Sequence, residues 1–527
     1  MAFDFASLGD VAASAPTDPR ILFSALSREE PYEFLRDPQG QVLEEWYQRR
    51  HEKDLVLKLN TGGGKTLVGL VICQSSLNEG EGPVLYLAPD PYLAGQAVAQ
   101  AHELGLDVVT DPKSSRFTSG EAVCVLSLNR LVNGKSVFGL LGGSKPIEDV
   151  GTIVVDDAHA ALATVREKFR LVVSKDDNER TFNALLDLFA DDLSQQSQPQ
   201  FLDLTHGVSS AVLEVPFWAW QRHIPTVTQE LHALRDDNEL QWPWPLIKDV
   251  LPLCRAVFTA TGLEIQPPCP PIGKIPSFTR ARRRIHLTAT LADDSLLVTD
   301  FGATAATVKS PITPASAGYL GDRLILAPQD INPKIQDHEV REMVAELAQS
   351  VNVVILTPSY RVAAKWEPYA AITAAKADAI GEAVRRLREE AHTGLVVLVN
   401  KYDGIDLPRK ACEVLVLDGL PEAYSGLTRR EEIVLGDSEE MVMRQLQRIE
   451  QGMGRGVRSV NDHCVVLLLG SRLSQLTAIP KYRALFGPAT QVQIDLSREI
   501  ARGLQHQTLG QIRAVIQQVL VLQRCLF

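Results

Sequence analysis

Cysteine is sparse in this chain, and what there is stands apart. The seven cysteines of 527 residues fall at positions 73, 124, 254, 269, 412, 464 and 525, with no CxxC pair. That scatter and the odd count argue against a disulfide framework, a zinc ribbon or an iron–sulfur cluster, and fit reduced thiols. No apolar run approaches the ~20 residues that a membrane helix needs. The opening "MAFDFASLGD" lacks the basic region and apolar core of a signal peptide. These absences predict a cytoplasmic protein with no membrane contact. An excess of positive charge is missing too. The net charge of −12 argues against a surface coated for nucleic acid, but leaves room for a local basic groove.

What the chain does have is apolar residues (45%) and moderate charge (22%), enough for three or four globular domains. Short Val/Leu-rich runs recur: "LVLKL" (55–59), "VLYLA" (84–88), "AVCVL" (122–126), "TIVVD" (152–156), "VVILT" (353–357), "LVVLV" (395–399), "EVLVLD" (413–418) and "CVVLLL" (464–469). They lack polar alternation, as parallel strands buried on both faces do. Helical segments such as 66–78 and 376–391 lie between them; in the second, Ile380, Val384 and Leu387 share a face. Strand and helix in alternation predict an α/β fold, and two clusters of strands predict two such domains.

Between the clusters, residues 162–283 read as a mostly helical insertion ending in the proline-rich "IQPPCPPIGKIP". Trp218, Trp220, Trp242 and Trp244 lie here. They serve either as the staples of a small helical core or as a stacking surface for single-stranded bases. The tail, 491–527, carries two amphipathic helical patterns. Ile512, Val515, Ile516, Val519 and Leu520 in the last predict docking on the body of the protein, with partner binding as the other reading.

Two stretches carry chemistry. "LKLNTGGGKTLVGLVI" places Thr61, Gly62, Gly63, Gly64, Lys65 and Thr66 between a buried strand and a helix. Such a loop aims backbone N–H groups at phosphate oxygens, and the helix start adds partial positive charge. Lys65 can reach the β- and γ-phosphates of ATP, and the Thr66 hydroxyl can ligate Mg²⁺. Leu59 stands where such loops commonly begin with a small residue. Some 90 residues on, "TIVVDDAHA" (152–160) delivers Asp156 and Asp157 at a strand end, the place where ligands gather on a doubly wound sheet. Asp156 is the candidate metal ligand and Asp157 the candidate base for the attacking water, with His159 nearby. Asp157 is one methylene shorter than Glu and sets its carboxylate back by about 1 Å, a displacement that can cost ~100-fold in rate.

Read with four later segments, these motifs resemble those of the superfamily 2 DEAD/DEAH-box helicases. "LYLAPDPYLAGQ" (85–96) resembles motif Ia, which touches the nucleic-acid backbone. "HLTATL" (286–291) resembles motif III, with Thr288, Ala289 and Thr290 linking hydrolysis to strand movement. "VVILTPSY" (353–360) resembles motif IV. "KYDGIDLP" (401–408) resembles motif V and implies Gly404 and Asp406 among the nucleotide-binding residues. "QRIEQGMGRGVRS" (447–459) contains QxxGRxxR, which implies catalytic roles for Gln451, Arg455 and Arg458, the arginines reaching across the cleft to the γ-phosphate. Either Gln39 or Gln41 is then the adenine-reading glutamine.

The resemblance implies two tandem RecA-like P-loop NTPase domains, the first carrying the insertion. The expected division is a lead-in at 1–40, a first lobe at 41–161 and 284–315, the insertion at 162–283, a second lobe at 316–475 and a helical tail at 476–527. The position of the insertion, "TPSY" and "DGID" are similar to the XPD/DinG-like branch. With only Cys73 and Cys124 between the phosphate loop and Asp156, the likeness is to a form without an iron–sulfur cluster. The expected activity is ATP- and Mg²⁺-dependent movement on single-stranded nucleic acid, DNA rather than RNA. The other reading is an ATP-gated binding switch or remodelling ATPase that works with partner proteins, engaged through the insertion or the tail, and unwinds nothing. "RARRR" (280–284) either lends phosphate-binding charge or is a solvated run before motif III.

Overall fold

A computed structural model describes residues 15–29, 32–60, 63–237, 239–289, 294–315, 321–402, 405, 407, 409–420, 425–436, 438–457 and 463–525. Sequence-predicted Thr61, Gly62, Thr290, Gly404, Asp406 and Arg458 lie outside the described residues, as does the side chain of Arg455.

After a short helix, Pro19–Ala25, packed on its core, the first lobe runs through helix α1 (Asp37–Arg49) and strand β1 (Asp54–Lys58), followed by α2 (Lys65–Asn78), β2 (Val84–Ala88), α3 (Pro91–Glu103), β3 (Val108–Val109), β4 (Val123–Ser127), β5 (Thr152–Val155) and α4 (Ala158–Lys168). The insertion then contributes β6 (Leu171–Ser174), β7 (Val212–Glu214), α5 (Phe217–Ala233), β8 (Arg255–Thr259) and β9 (Gly262–Gln266), before β10 (Arg283–Thr288) returns to the first sheet. That sheet is six-stranded and parallel, in the order β1-β10-β5-β2-β4-β3. Its strands are buried on both faces, which is why they read as unbroken apolar runs. Residues beyond β10 come back beside β1, where Lys58 N donates to Ile312 O (2.8 Å) and Ile312 N to Val56 O (2.8 Å).

The insertion carries several helices and, in addition, an antiparallel four-stranded sheet in the order β6-β9-β8-β7. Its aromatic core of Phe182, Phe189, Trp220 and Phe258 is continuous with the apolar layer under one face of the first sheet. The four tryptophans divide. Trp220 is buried, stacks on Phe189 and donates from Nε1 to Leu251 O (2.9 Å), and Trp244 is buried beside His232. Trp218 and Trp242 are exposed.

The second lobe is built from β11 (Asp322–Leu326), β12 (Val353–Thr357), β13 (Ile372–Ala374), α6 (Ala377–Glu389), β14 (Leu395–Val399), β15 (Val414–Asp418), α7 (Gly426–Leu435), α8 (Glu439–Met453) and β16 (His463–Leu469). Its sheet is again six-stranded and parallel, in the order β11-β16-β15-β12-β14-β13. Helices α9 (Pro488–Gly503) and α10 (Leu509–Cys525) close the chain. The first covers the open edge of β11, where Ser497 Oγ accepts from Ile325 N (2.9 Å), so the edge strand offers less of a template for foreign pairing. The second buries Ile512, Ile516 and Leu520 against the second sheet. No helix among the described residues is long and apolar enough to cross a membrane.

Candidate functional site

In the first sheet β10 lies between β1 and β5, so the loop leaving β1 and the acids leaving β5 emerge at one edge, two strands or roughly 10 Å apart. Gly64 has φ +78°, and a Cβ there would lie 2.1 Å from Gln39 Nε2, so the turn into α2 favours glycine. Among the described residues no side chain caps α2, which leaves the N–H groups of its first turn turned toward the loop. One helical turn later, Gly69 lets α2 press onto the sheet, since a Cβ would meet Leu287, Tyr86 and Val154 within 3.2 Å. Lys65 Nζ makes long contacts with Leu59 O (3.4 Å) and Asn60 O (3.5 Å).

Gln39 and Gln41 occupy different places. Gln39 is buried, accepts from Arg36 N (2.9 Å) and donates from Nε2 to Gly63 O (3.1 Å), so it braces the phosphate loop itself. Gln41 accepts from Ala315 N (2.9 Å) and lines a hollow of about 410 Å³ with Phe34 and Arg36.

The acid pair meets this loop. Asp156 is buried, and its Oδ2 accepts from Thr66 Oγ1 (3.3 Å) and Tyr86 Oη (2.6 Å). Burial raises its carboxyl above the usual range, and the charge of Asp157 adds to that, against the opposing effects of Tyr86 and Lys65. Tyr86, likewise buried, has its phenol pushed well up by the same burial and by Asp156. The sequence reading missed Tyr86: it is the polar residue inside "VLYLA", and only the β2-β5 pairing puts its hydroxyl beside Asp156. A buried carboxylate held at cost beside a hydroxyl, both hard oxygen donors, fits a magnesium ion.

Asp157 stands in the left-handed region (φ 43°, ψ 72°) and caps α4, its Oδ1 accepting from Ala160 N (3.4 Å). His159 is half-buried in the same turn. Thr288 ends β10 with its side chain buried, and its carbonyl accepts from Leu59 N (2.9 Å), tying motif III to the start of the phosphate loop. The motif Ia segment faces the second lobe: Lys401 Nζ lies 3.6 Å from Asp90 Oδ2, and Tyr92 packs against the second-lobe core.

In the second lobe, Gln451 sits in the last turn of α8 and Arg455 in the tight turn after it. No hydrogen bond joins Gln451 to the first lobe among the described residues. The "RARRR" run is mostly spent within the fold. Arg282 pairs with Glu81 (2.5 Å), Arg283 with Glu79 (2.6 Å) and Arg284 with Asp54 (2.7 Å). They lie at the start of β10, the opposite edge of the sheet from the phosphate loop, so the phosphate-binding reading of the run does not hold for these three.

Comparison with known families finds two matches. Residues 36–186 match the DEAD/DEAH box helicase model and residues 342–487 the helicase C-terminal domain model; together they span more than half of the chain. No curated protein matches the sequence. Among solved structures the fold is similar to that of S. tokodaii Xpd4, at 17% identity and a TM-score of 0.52 over 84% of this chain and 97% of that one. It is also similar to an XPD helicase, at 15% identity and a TM-score of 0.50 over 86% and 98% of the two chains. With a DEAD/DEAH box helicase domain followed by a helicase C-terminal domain, the chain is an ATP-hydrolysing helicase of the DEAD/DEAH box family.

Proposed function

We propose that this helicase moves on single-stranded DNA, with ATP held at the loop between β1 and α2 and hydrolysed by the acid pair. The observation that carries the reading is the meeting of Thr66, Tyr86 and Asp156 beside the uncapped start of α2. In this reading the first-turn N–H groups of α2 and Lys65 bind the phosphates, and Gln39 joins recognition of the base to the loop it braces. Thr66 and Asp156 would hold magnesium, which when bound neutralises charge on the β- and γ-phosphate oxygens. Asp157 orients a water and takes its proton as the water oxygen attacks the γ-phosphorus and ADP leaves. Gln451, Arg455 and Arg458 contribute from the second lobe, and the arginines favour a closed cleft only while the γ-phosphate is present. Gly404 and Asp406 belong to the same nucleotide-binding set, and a strand held mainly by its backbone carries little sequence preference.

ATPase activity measured with and without single-stranded DNA or RNA, beside Lys65→Ala, tests this. Stimulation by DNA above RNA, lost in Lys65→Ala, is expected. Hydrolysis that no strand stimulates would overturn the reading, and stimulation without strand displacement would favour an ATP-gated switch. Tyr86→Phe removes the hydroxyl that orients Asp156. Loss of such a partner typically costs 10–100-fold in metal affinity, so the magnesium concentration for half-maximal ATPase is expected to rise by about that factor. An unchanged magnesium titration would place the metal elsewhere.

A further inference from the structure

A second hollow, of about 330 Å³, opens where three parts of the molecule meet. Helix α4 brings Arg166, the insertion brings Arg170 and Arg255, and the second lobe brings Arg448 on α8. The lobes are held together here by the insertion: Glu264 on β9, buried, accepts from Gly426 N (2.7 Å) and Leu427 N (3.4 Å) at the start of α7. Val212, Val257 and Leu427 form an apolar seam behind that contact.

Four guanidinium groups around one hollow are unusual in a chain of net charge −12, and among the described residues the carboxylates lining it are Glu167 and Glu431. Three of the arginines are anchored by carboxylates. Arg166 pairs with Asp300, Arg170 with Glu167 and Glu264, and Arg255 with Glu214 (2.7 Å) and Glu431 (2.9 Å). A guanidinium carries five donors in a planar fork, so such an anchor fixes it without exhausting it. Arg448 is exposed and makes no ion pair or side-chain hydrogen bond among the described residues. The walls between these charges are Ala163, Pro267, Pro268 and Leu427, with the Ser425 and Thr428 hydroxyls beside them. Fixed arginine forks with an apolar wall suit a phosphate attached to a sugar better than a free carboxylate.

We infer that this hollow is a phosphodiester-binding site, which takes one backbone phosphate of the single strand between the insertion and the second lobe. The inference rests on the nucleic-acid reading above. Arg448 lies three residues before Gln451 on the same helix, so a phosphate seated here bears directly on the helix that ends in motif VI.

The test is binding of a fluorescent oligo-dT over a series of salt concentrations by wild type, Arg448→Ala, Arg448→Lys and Arg280→Ala. Arg280 is exposed at the far edge of the first sheet, so it controls for loss of one positive charge. Arg448→Ala is expected to weaken binding about tenfold. It should also flatten the slope of log K against log salt by about 0.7, the share of one single-strand phosphate. Arg448→Lys should restore the slope and only part of the affinity, and Arg280→Ala should change neither. Unchanged affinity and slope in Arg448→Ala, with wild type binding normally, would overturn the site while leaving the helicase reading intact. If wild type binds no strand, the nucleic-acid reading fails instead. The hollow is then read by sodium tripolyphosphate on a Lys65→Ala background. A rise in melting temperature that needs Arg448 would assign it to free phosphate compounds, and no rise would overturn it altogether.

Discussion

Asp157→Asn is expected to lower ATP turnover by about 10²–10⁴-fold, the usual worth of a positioned general base, with folding and ATP binding kept. The structure makes this substitution unusually clean. Asp157 has a backbone φ of 43° and caps α4 through its own carboxylate. Asn matches Asp as a helix cap and tolerates the left-handed region as well as any residue with a side chain. The amide therefore keeps the local structure and removes only the proton acceptor. The same geometry accounts for the short acid at this position. Glu is not among the residues that cap well, so a methylene added here forfeits an interaction typically worth ~1 kcal/mol at the start of α4. Steady-state ATPase beside nucleotide binding checks the prediction. Full turnover in Asp157→Asn would reduce Asp157 to a helix cap and place the base elsewhere. Asp157→Glu separates the two roles from the other side: faster hydrolysis together with a lower melting temperature would mean that capping and base catalysis compete for one carboxylate.

How much of this was legible in the sequence depended on where the partners of each residue lay. Each of the eight apolar runs overlaps a strand, because a strand buried on both faces carries its signal in its own composition. Strand β10 gives no such signal: "RRIHLT" opens with two arginines and holds a histidine, all buried, and the two arginine charges are satisfied by Glu79 and Asp54, some two hundred residues away. The insertion's strands were hidden for a related reason. They are short, and a polar residue such as Glu264 interrupts "GLEIQ" because it serves the second lobe rather than its own sheet. The phosphate loop and acid pair stood out because spacing along the chain defines them. Tyr86 did not, since its meaning comes from strand order. Trp218 and Trp220 are two residues apart on one helix and face opposite environments, which no count of tryptophans could divide.

The buried pair that hid β10 should also dominate the stability of the first lobe. Arg284 Nε donates to Asp54 Oδ1 (2.7 Å), and its two terminal nitrogens donate to Phe301 O and Gly302 O (2.8 Å each). Asp54 Oδ2 accepts from Thr304 N (2.9 Å) and Thr304 Oγ1 (2.7 Å), so both partners are saturated and the loop after β10 is tied to β1. Arg284→Ala is expected to destabilise the first unfolding transition in urea by about 3–5 kcal/mol, because it strands a buried charge. Acid should reveal the cause. Burial alone would raise the Asp54 carboxyl, but the neighbouring His286 and the bonds from Arg284 and Thr304 outweigh it and hold it well below the usual carboxylate range. A depressed folded-state pKa gives stability that is complete above the unfolded value of about 4 and is lost as pH falls below it. Without Arg284, only His286 and Thr304 still oppose burial, so the Asp54 carboxyl rises from that depressed position, and below about pH 4 the variant has less stability to lose than the wild type. The gap between them should therefore narrow over that range. A gap that stays constant would mean that the lost bonds to Phe301 and Gly302, rather than an unpaired Asp54, set the cost.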